Sequence, residues 1–406
     1  MTHRLYYTDP YRRAFDATVT AVRAGGGRTL VALDRTAFYP TSGGQPFDTG
    51  TLGRARVVDV VDEDDGTIAH VVEGAGPLTP GETVHGEIDW ARRFDHMQQH
   101  TGQHVLSAAI VRLFDARTVS FHLGADASTI DVARELNPRE LAAAEDEANR
   151  VVWEDRPVAI RFADAAEAAK LPLRKEPARG GTLRLIDVED FDLSACGGTH
   201  VARTGGIGVI AVAGWERFKG GQRIEFVCGG RALGRFRSMR DVLGASIRLL
   251  SVLPAELPPA IERLRGELKD QKRAMAAVQT ELARYRAEEL AAMAESTPHG
   301  RLLLRALDAD ANGLKTLASA VASRPGFVVV LVSTSRPALV VAARSADVSA
   351  SVQQIVAALT SKFGGRGGGR PELAQGGGLD GDAQAILAAA RDALRAQRST
   401  EATEQG

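Results

Sequence analysis

Cysteine is scarce in this chain: Cys196 and Cys228 are its only two in 406 residues. A disulfide framework needs more, so ordinary cores must hold the fold, and a reducing, cytoplasmic setting is the expectation. Aromatic residues supply only 5% of the chain, and the net charge is −1. That balance gives no global basic field of the kind that announces a nucleic-acid binder, although a local patch would suffice. No apolar run approaches the ~18 residues of a membrane span, and the opening MTHRLYYTDPYRRAF lacks the apolar centre of a signal peptide. No membrane partner is therefore expected.

What is present is ordinary for globular protein, 44% hydrophobic and 25% charged, and the length suggests roughly two to four domains. Residues 1–88 read as β: Thr29–Leu33, Ala55–Asp62 and Ile68–Val72 are β-branched runs separated by Gly, Asp and Pro. Among them TAFYPTSGGQPFDTG (36–50) carries Gly43-Gly44, which makes a tight turn or lets backbone approach a ligand, followed by Gln45. The plain alternative is a hairpin turn with a surface glutamine.

Residues 89–240 begin with DHMQQHTGQHVLSAAIVRLF (95–114), helical by the spacing of Val105, Leu106, Ala109, Ile110 and Leu113. A strand through Val119, Phe121 and Leu123 follows, then a helix opened by Asn137-Pro138. Two strands flanking a loop are expected over 157–195, and two more over 204–230, with Arg217, Lys219 and Arg223 clustered around a Gly220-Gly221 turn. Residues 241–296 are helical, broken at Pro254 to Pro259, and repeat apolar residues at 3,4 spacing: Ile261, Leu264, Leu268, Met275, Val278, Leu282 and Tyr285, with Gln271 the one polar member. That pattern fits a coiled coil, antiparallel or intermolecular, and equally a helix packed on its own domain. After the STPHG hinge (296–300), residues 297–406 read as α/β, with PGFVVVLVS and PALVVAARS as buried strands. There FGGRGGGRPELAQGGGL (363–379) reads as an ordered loop that could bring backbone N–H groups, Arg366 or Arg370, and Gln375 against a phosphate or ribose.

Two short segments carry the chemistry. HTGQH (100–104) and CGGTH (196–200) each offer two soft-metal ligands at i and i+4. On a helix that spacing puts His100 and His104 on one face. With Cys196 and His200 they complete the Cys/His₃ inventory that tetrahedral zinc favours, enough for one ion. His96, a turn earlier, and His122, on the following strand, are further candidates for the same pocket. A closed four-ligand site is usually structural, whereas hydrolytic zinc keeps a position open for water; residue counting leaves both readings standing.

TAFYPTSGGQPFDTG, HTGQH followed by VLSAA, and CGGTH followed by TGGIG together resemble the editing domain of alanyl-tRNA synthetase and its free-standing relatives, the AlaX-type editing proteins. The segment from Gly300 onward resembles the C-terminal DHH-associated domain of the synthetase and of the long AlaX form. The fold class this implies is multidomain α+β: an N-terminal β-barrel-like domain (1–88), an α+β zinc-binding editing domain (89–240), a helical coiled-coil linker (241–296) and an α/β DHH-associated tRNA-binding domain (297–406).

The resemblance implies a trans-acting deacylase of tRNA(Ala) mischarged with serine or glycine. Nothing before residue 36 is long enough to charge tRNA. Zinc held by His100, His104, Cys196 and His200 would serve the hydrolysis, and Gln45 would position substrate or water. Thr118 or Ser120 would sense the serine hydroxyl, Thr118 being preferred. Arg217, Lys219 and Arg223 are candidates for the tRNA acceptor stem, as Arg366, Arg370 and Gln375 are for other parts of the tRNA, and a homodimer through the helical linker or the C-terminal domain is a further expectation. The competing readings are a deacylase of Ser-tRNA(Thr), a non-catalytic zinc-stabilised tRNA binder, and a coiled-coil interaction protein with a degenerate editing domain.

Overall fold

In a computed structural model that describes residues 1–25, 28–74, 78–174, 182–298 and 300–404, the chain forms two units, Met1–Leu249 and Leu250–Gly406. Strands near the start close into a barrel in the order Ala14–Gly25, Arg28–Leu33, Ile68–Glu73, Ala55–Asp62, Gly50–Leu52 and Thr83–Ile88. Closure pairs both edges, and inward residues of the strands fill the interior, Phe15, Val31, Leu33, Leu52 and Ile68 among them, joined by Phe38 from the 36–50 segment.

Asp89 ends the last barrel strand and caps helix α1 (Trp90–Phe114), its side chain accepting from the Arg92 N–H. From Met97 to Ile110 α1 is buried nearly all round except at Gln98, so its polar residues must find partners inside the protein. Arg93 and Asp48, both 0% exposed, form one such pair and tie α1 to the 36–50 segment. On one side lies an antiparallel sheet in the order Ile210–Phe218, Gly221–Cys228, Ser128–Val132, Thr118–Leu123. On the other is helix α2 (Pro138–Trp153), which starts with a capping box between Asn137 and Glu140 and a proline in its first turn.

The 157–195 region holds three strands rather than the expected two: Val158–Ala163, Leu183–Val188 and Asp192–Ala195, with a short helix α3 (Ala165–Ala168) after the first. The extra turn contains neither Gly nor Pro; Asp190 takes a left-handed conformation (φ 55°) to make it. Residues 175–181 of the loop expected here, and His299 of the 296–300 hinge, lie outside the described residues. The basic turn is Lys219-Gly220, one residue earlier than expected, because Gly221 pairs with Phe218.

Helix α4 (Gly229–Leu250) closes the first unit. In the second, helix α5 (Leu257–Ala292) takes Pro258 and Pro259 into its first turn, where a missing N–H breaks no helical bond. A mixed sheet follows in the order Glu295–Thr297, Gly300–Leu307, Phe327–Ser333, Ala338–Arg344, Leu373–Leu379, Arg366–Arg370. Helix α6 (Ala311–Ala322) and the end of α5 cover one face, α7 (Val352–Phe363) and α8 (Ala383–Glu404) the other.

The glycine-rich segment is thus a hairpin of two strands, not a loop. Its glycines make room for α7: a Cβ on Gly367 would stand 2.8 Å from Val356 Cγ1, and one on Gly376 would stand 3.3 Å from Val356 and Thr360.

Candidate metal centre

Helix α1 presents His100 and His104 one turn apart, and the loop after Asp192–Ala195 presents Cys196 and His200. The four donor atoms lie within 4.8 Å of one another. Cys196 Sγ is 3.4 Å from both His100 Nε2 and His200 Nε2, close to the separation that tetrahedral zinc with bonds of about 2.0–2.3 Å imposes.

Each imidazole is turned the same way. His100 Nδ1–H donates to Gln45 Oε1 at 2.8 Å and His104 Nδ1–H to Asp192 Oδ2 at 3.1 Å. His200 Nδ1 lies 3.2 Å from Thr101 Oγ1, whose own proton goes to Met97 O, so the hydroxyl accepts. With every Nδ1 engaged outward, the three Nε2 lone pairs point at Cys196, the arrangement a metal requires of its second shell.

Electrostatics agree with the geometry. Burial pushes the Cys196 thiol up, but the His100 and His200 imidazoles outweigh it and hold the thiol well below its ordinary value. Burial, reinforced by His100, takes His200 down to about 3, keeping it neutral and able to ligate. Burial would lower His104 too, but the bond to Asp192 raises it; Asp192, pushed up by burial, is held below the carboxylate range by His104 and Arg174.

The GGQ segment forms a tight turn: Ser42 and Gln45 bond each other's backbones, and Gly43 (φ 53°) and Gly44 (φ 82°) take the left-handed conformations that such a turn demands. The surface-glutamine alternative is not what is found, since Gln45 is 0% exposed. Its Oε1 accepts from His100 and, at 3.0 Å, from the Thr199 N–H, while its Nε2 donates to Thr199 Oγ1 at 2.8 Å. It therefore joins the barrel segment, the helix and the CGGTH loop. Gly198 is required there, because a Cβ would meet the His100 ring at 2.2 Å and Gln45 Oε1 at 2.9 Å.

Thr118 and Ser120 sit on opposite faces of their strand. A bulge shifts the register so that Thr118 pairs with Val132 and Ser120 with Asp131. Thr118 shares the inner face with Phe121, donates to Ser107 Oγ on α1 at 2.8 Å, and lines a cleft of about 610 Å³. Asp192, Arg174, Arg112 and Arg117 line the same cleft, so its wall reaches His104 through Asp192. Ser120 is on the outer face, bonded to Asp131, and is not brought to the metal set. His122 is likewise outward and exposed, and His96, though buried and pushed down to about 4 by its burial and by Arg92, is not among the four donors.

The basic turn also lies toward the outer face: Arg223 grips Asp131 at 2.7 and 2.9 Å, Arg217 meets Glu135 at 3.0 Å, and Lys219 (φ 46°) forms the turn itself. In the other unit, Arg366 and Gln375 line a cleft of about 500 Å³ floored by the hairpin glycines; Arg370, at the strand's end, is not among its lining residues.

Several supporting residues escape a reading of the sequence. Asp192 clamps His104, Arg174 clamps Asp192 at 2.6 Å, and Arg184 holds the metal loop through the carbonyls of Cys196 and Gly198 at 2.7 and 2.9 Å. Thr101 and Thr199 were within sight, inside the two motifs themselves.

Residues 12–92 match the family model described as tRNA synthetases class II (A), 183–225 that of the threonyl and alanyl tRNA synthetase second additional domain, and 299–396 that of the DHHA1 domain. The second range contains Cys196 and His200. The alanyl-tRNA editing protein AlaX-L of Pyrococcus horikoshii is 32% identical, over 93% of this chain and 94% of its own length. Alanine–tRNA ligases of Pyrococcus abyssi and Pyrococcus furiosus are 33% and 35% identical over 92% of this chain, which spans 42% of their length. No helix among the described residues is long and apolar enough to cross a membrane.

Proposed function

The chain belongs to the AlaX-type alanyl-tRNA editing proteins, related along most of its length to alanyl-tRNA synthetase, and from that premise we propose that it is a trans-acting deacylase of Ser-tRNA(Ala) and Gly-tRNA(Ala). The observation that carries this reading is the pre-set donor cluster, three Nε2 atoms and one thiol sulfur, beside a cleft in whose wall Thr118 carries the one inward hydroxyl among the described lining residues.

The residues fit zinc by donor type, spacing and tautomer, and His100, His104, Cys196 and His200 would hold it. When bound, the ion supplies a fixed positive charge able to polarise an ester carbonyl or acidify water. The protein's own groups do the rest. Gln45 acts through His100 and the Thr199 loop and is a positioning residue; one amide N–H is all it has left to offer a substrate. Arg112, Arg117 and Arg174 give the cleft the cations that a tRNA 3′ end needs.

Thr118 discriminates. A serine hydroxyl in the cleft donates to Thr118 Oγ1, whose own proton is committed to Ser107 Oγ, whereas alanine lacks that donor and forgoes a hydrogen bond worth about 0.5–1.5 kcal/mol. Arg217, Lys219 and Arg223, and separately Arg366, Arg370 and Gln375, serve as backbone contacts that position the tRNA.

The deciding measurement is deacylation of Ser-, Gly- and Ala-tRNA(Ala) and of Ser-tRNA(Thr), with and without a zinc chelator. Release of serine and glycine from tRNA(Ala), sparing of alanine, and loss on chelation are expected. Faster release from tRNA(Thr), or no release from any, overturns the reading. Unchanged deacylation by a folded Cys196→Ala variant would assign the metal to structure alone.

A further inference from the structure

Helix α1 carries more than metal donors where it meets the strand Thr118–Leu123. Gln103 and Ser107 stand one turn apart on it, 2% and 0% exposed. Gln103 Nε2 donates to Ser107 Oγ at 2.9 Å, and Thr118 Oγ1 donates to the same oxygen at 2.8 Å. Three side chains are thus strung on one hydroxyl, and of the three Thr118 alone lines the cleft.

A buried glutamine with so little to hold is destabilising. Its Oε1 has no partner among the described residues, and buried polar atoms are seldom left so. Leucine would fill a similar space without a polar group to satisfy. The amide engages Ser107 and nothing else, so its purpose is to be sought there.

We propose that Gln103 and Ser107 are positioning residues for substrate selection: they hold the Thr118 proton, so that Thr118 meets the aminoacyl group as an acceptor only. The inference rests on the deacylase reading above and adds the direction of the selecting hydrogen bond.

Direction decides selectivity here. Every aminoacyl ester brings acceptor oxygens, whether the amino acid is serine, glycine or alanine. A Thr118 free to donate would reward those oxygens in all three alike. With its proton held by Ser107, Thr118 rewards only a side chain that brings a donor of its own. The substrates favoured through Thr118 are therefore small amino acids with a hydrogen-bond donor on Cβ. Glycine has no side chain to be tested.

The hold does not depend on which edge the Gln103 amide presents. With Nε2 toward Ser107 the hydroxyl accepts; with Oε1 there it would donate. Either way Ser107 Oγ keeps a lone pair for the Thr118 proton. Thr118 is β-branched and stiff at χ1, so the proton is the one part of it left to place.

Deacylation of Ser- and Gly-tRNA(Ala) by the full chain tests the proposal, with glycine as internal control. Ser107→Ala and Gln103→Leu should each lower the serine-to-glycine ratio of kcat/KM by roughly two- to tenfold, the worth of one hydrogen bond. Glycine release and zinc content should be unchanged, and Gln103→Leu should be no less stable to urea than the unsubstituted chain. The double variant should do no more than Ser107→Ala alone, because both act on one proton. Loss of stability with both amino acids slowed together would mark a merely structural pair and overturn the proposal. A ratio that neither substitution moves, in a chain that releases both amino acids, overturns it while leaving the deacylase reading intact. An unsubstituted chain that releases neither removes both.

Direction is read with 3-fluoroalanyl-tRNA(Ala), whose fluorine resembles a hydroxyl in size but brings no proton. The unsubstituted chain should spare it as it spares alanine. Release at the serine rate would mean that Thr118 donates, and would sink the proposal.

Discussion

Two glycine-rich segments of this chain read alike and fold for opposite reasons. SGGQ and FGGRGGGRPELAQGGGL both suggest backbone brought close to a ligand. In the first, Gly43 and Gly44 supply left-handed turn residues, and the turn delivers a buried glutamine to His100 of the candidate metal centre. In the second, Gly367 and Gly376 lie in strands and are bare so that Val356 and Thr360 of α7 can settle on them. Glycine signals a close approach in both places; only the residue beside it tells whether the visitor is a functional group or another piece of the fold.

The contrast can be broken at its sharpest point in the CGGTH loop. Gly198→Ala places a methyl group inside the His100 ring's space, and should lower zinc affinity by more than ~100-fold, measured by competition with a chromogenic chelator. Gln45→Ala, which removes the acceptor that orients His100, should cost about 10–100-fold in the same assay with little change in global stability.

Gly367→Val probes the other segment. It should destabilise the C-terminal unit by roughly 1–3 kcal/mol in urea unfolding, because Val356 must move, and leave zinc affinity untouched. A loss of zinc there, or a large loss of fold at Gln45, would erase the distinction. The smallest effects are expected at Arg366→Ala and Arg370→Ala. Each should weaken tRNA binding by a few-fold and lower the slope of log affinity against log salt by about one, the mark of a phosphate contact.

Much of the fold was legible because its signals are local. The spacing of Val105, Leu106, Ala109 and Ile110 gave α1, Asn137-Pro138 gave the start of α2, and the runs after Gly326 and Pro337 gave two central strands. The four donors were legible because i, i+4 spacing is itself a geometric statement. What stayed hidden depends on meetings between distant residues or on turns without their usual residues. Asp192 reaches His104 across 88 positions, and Arg184 holds a loop it does not adjoin. The strand Asp192–Ala195 hid behind a turn made by Asp190, and the C-terminal glycines looked like a loop because their purpose lies on α7.

The bulge between Thr118 and Ser120 has a consequence for how such proteins diverge. Because Val119 is the surplus residue opposite the Asp131–Val132 step, its deletion would leave a regular strand with Thr118 and Phe121 still facing inward, absorbing an indel that would invert a strand without a bulge. The distance in sequence from Thr118 to Phe121 is therefore elastic by one residue, and relatives should be aligned here by inward face rather than by counting.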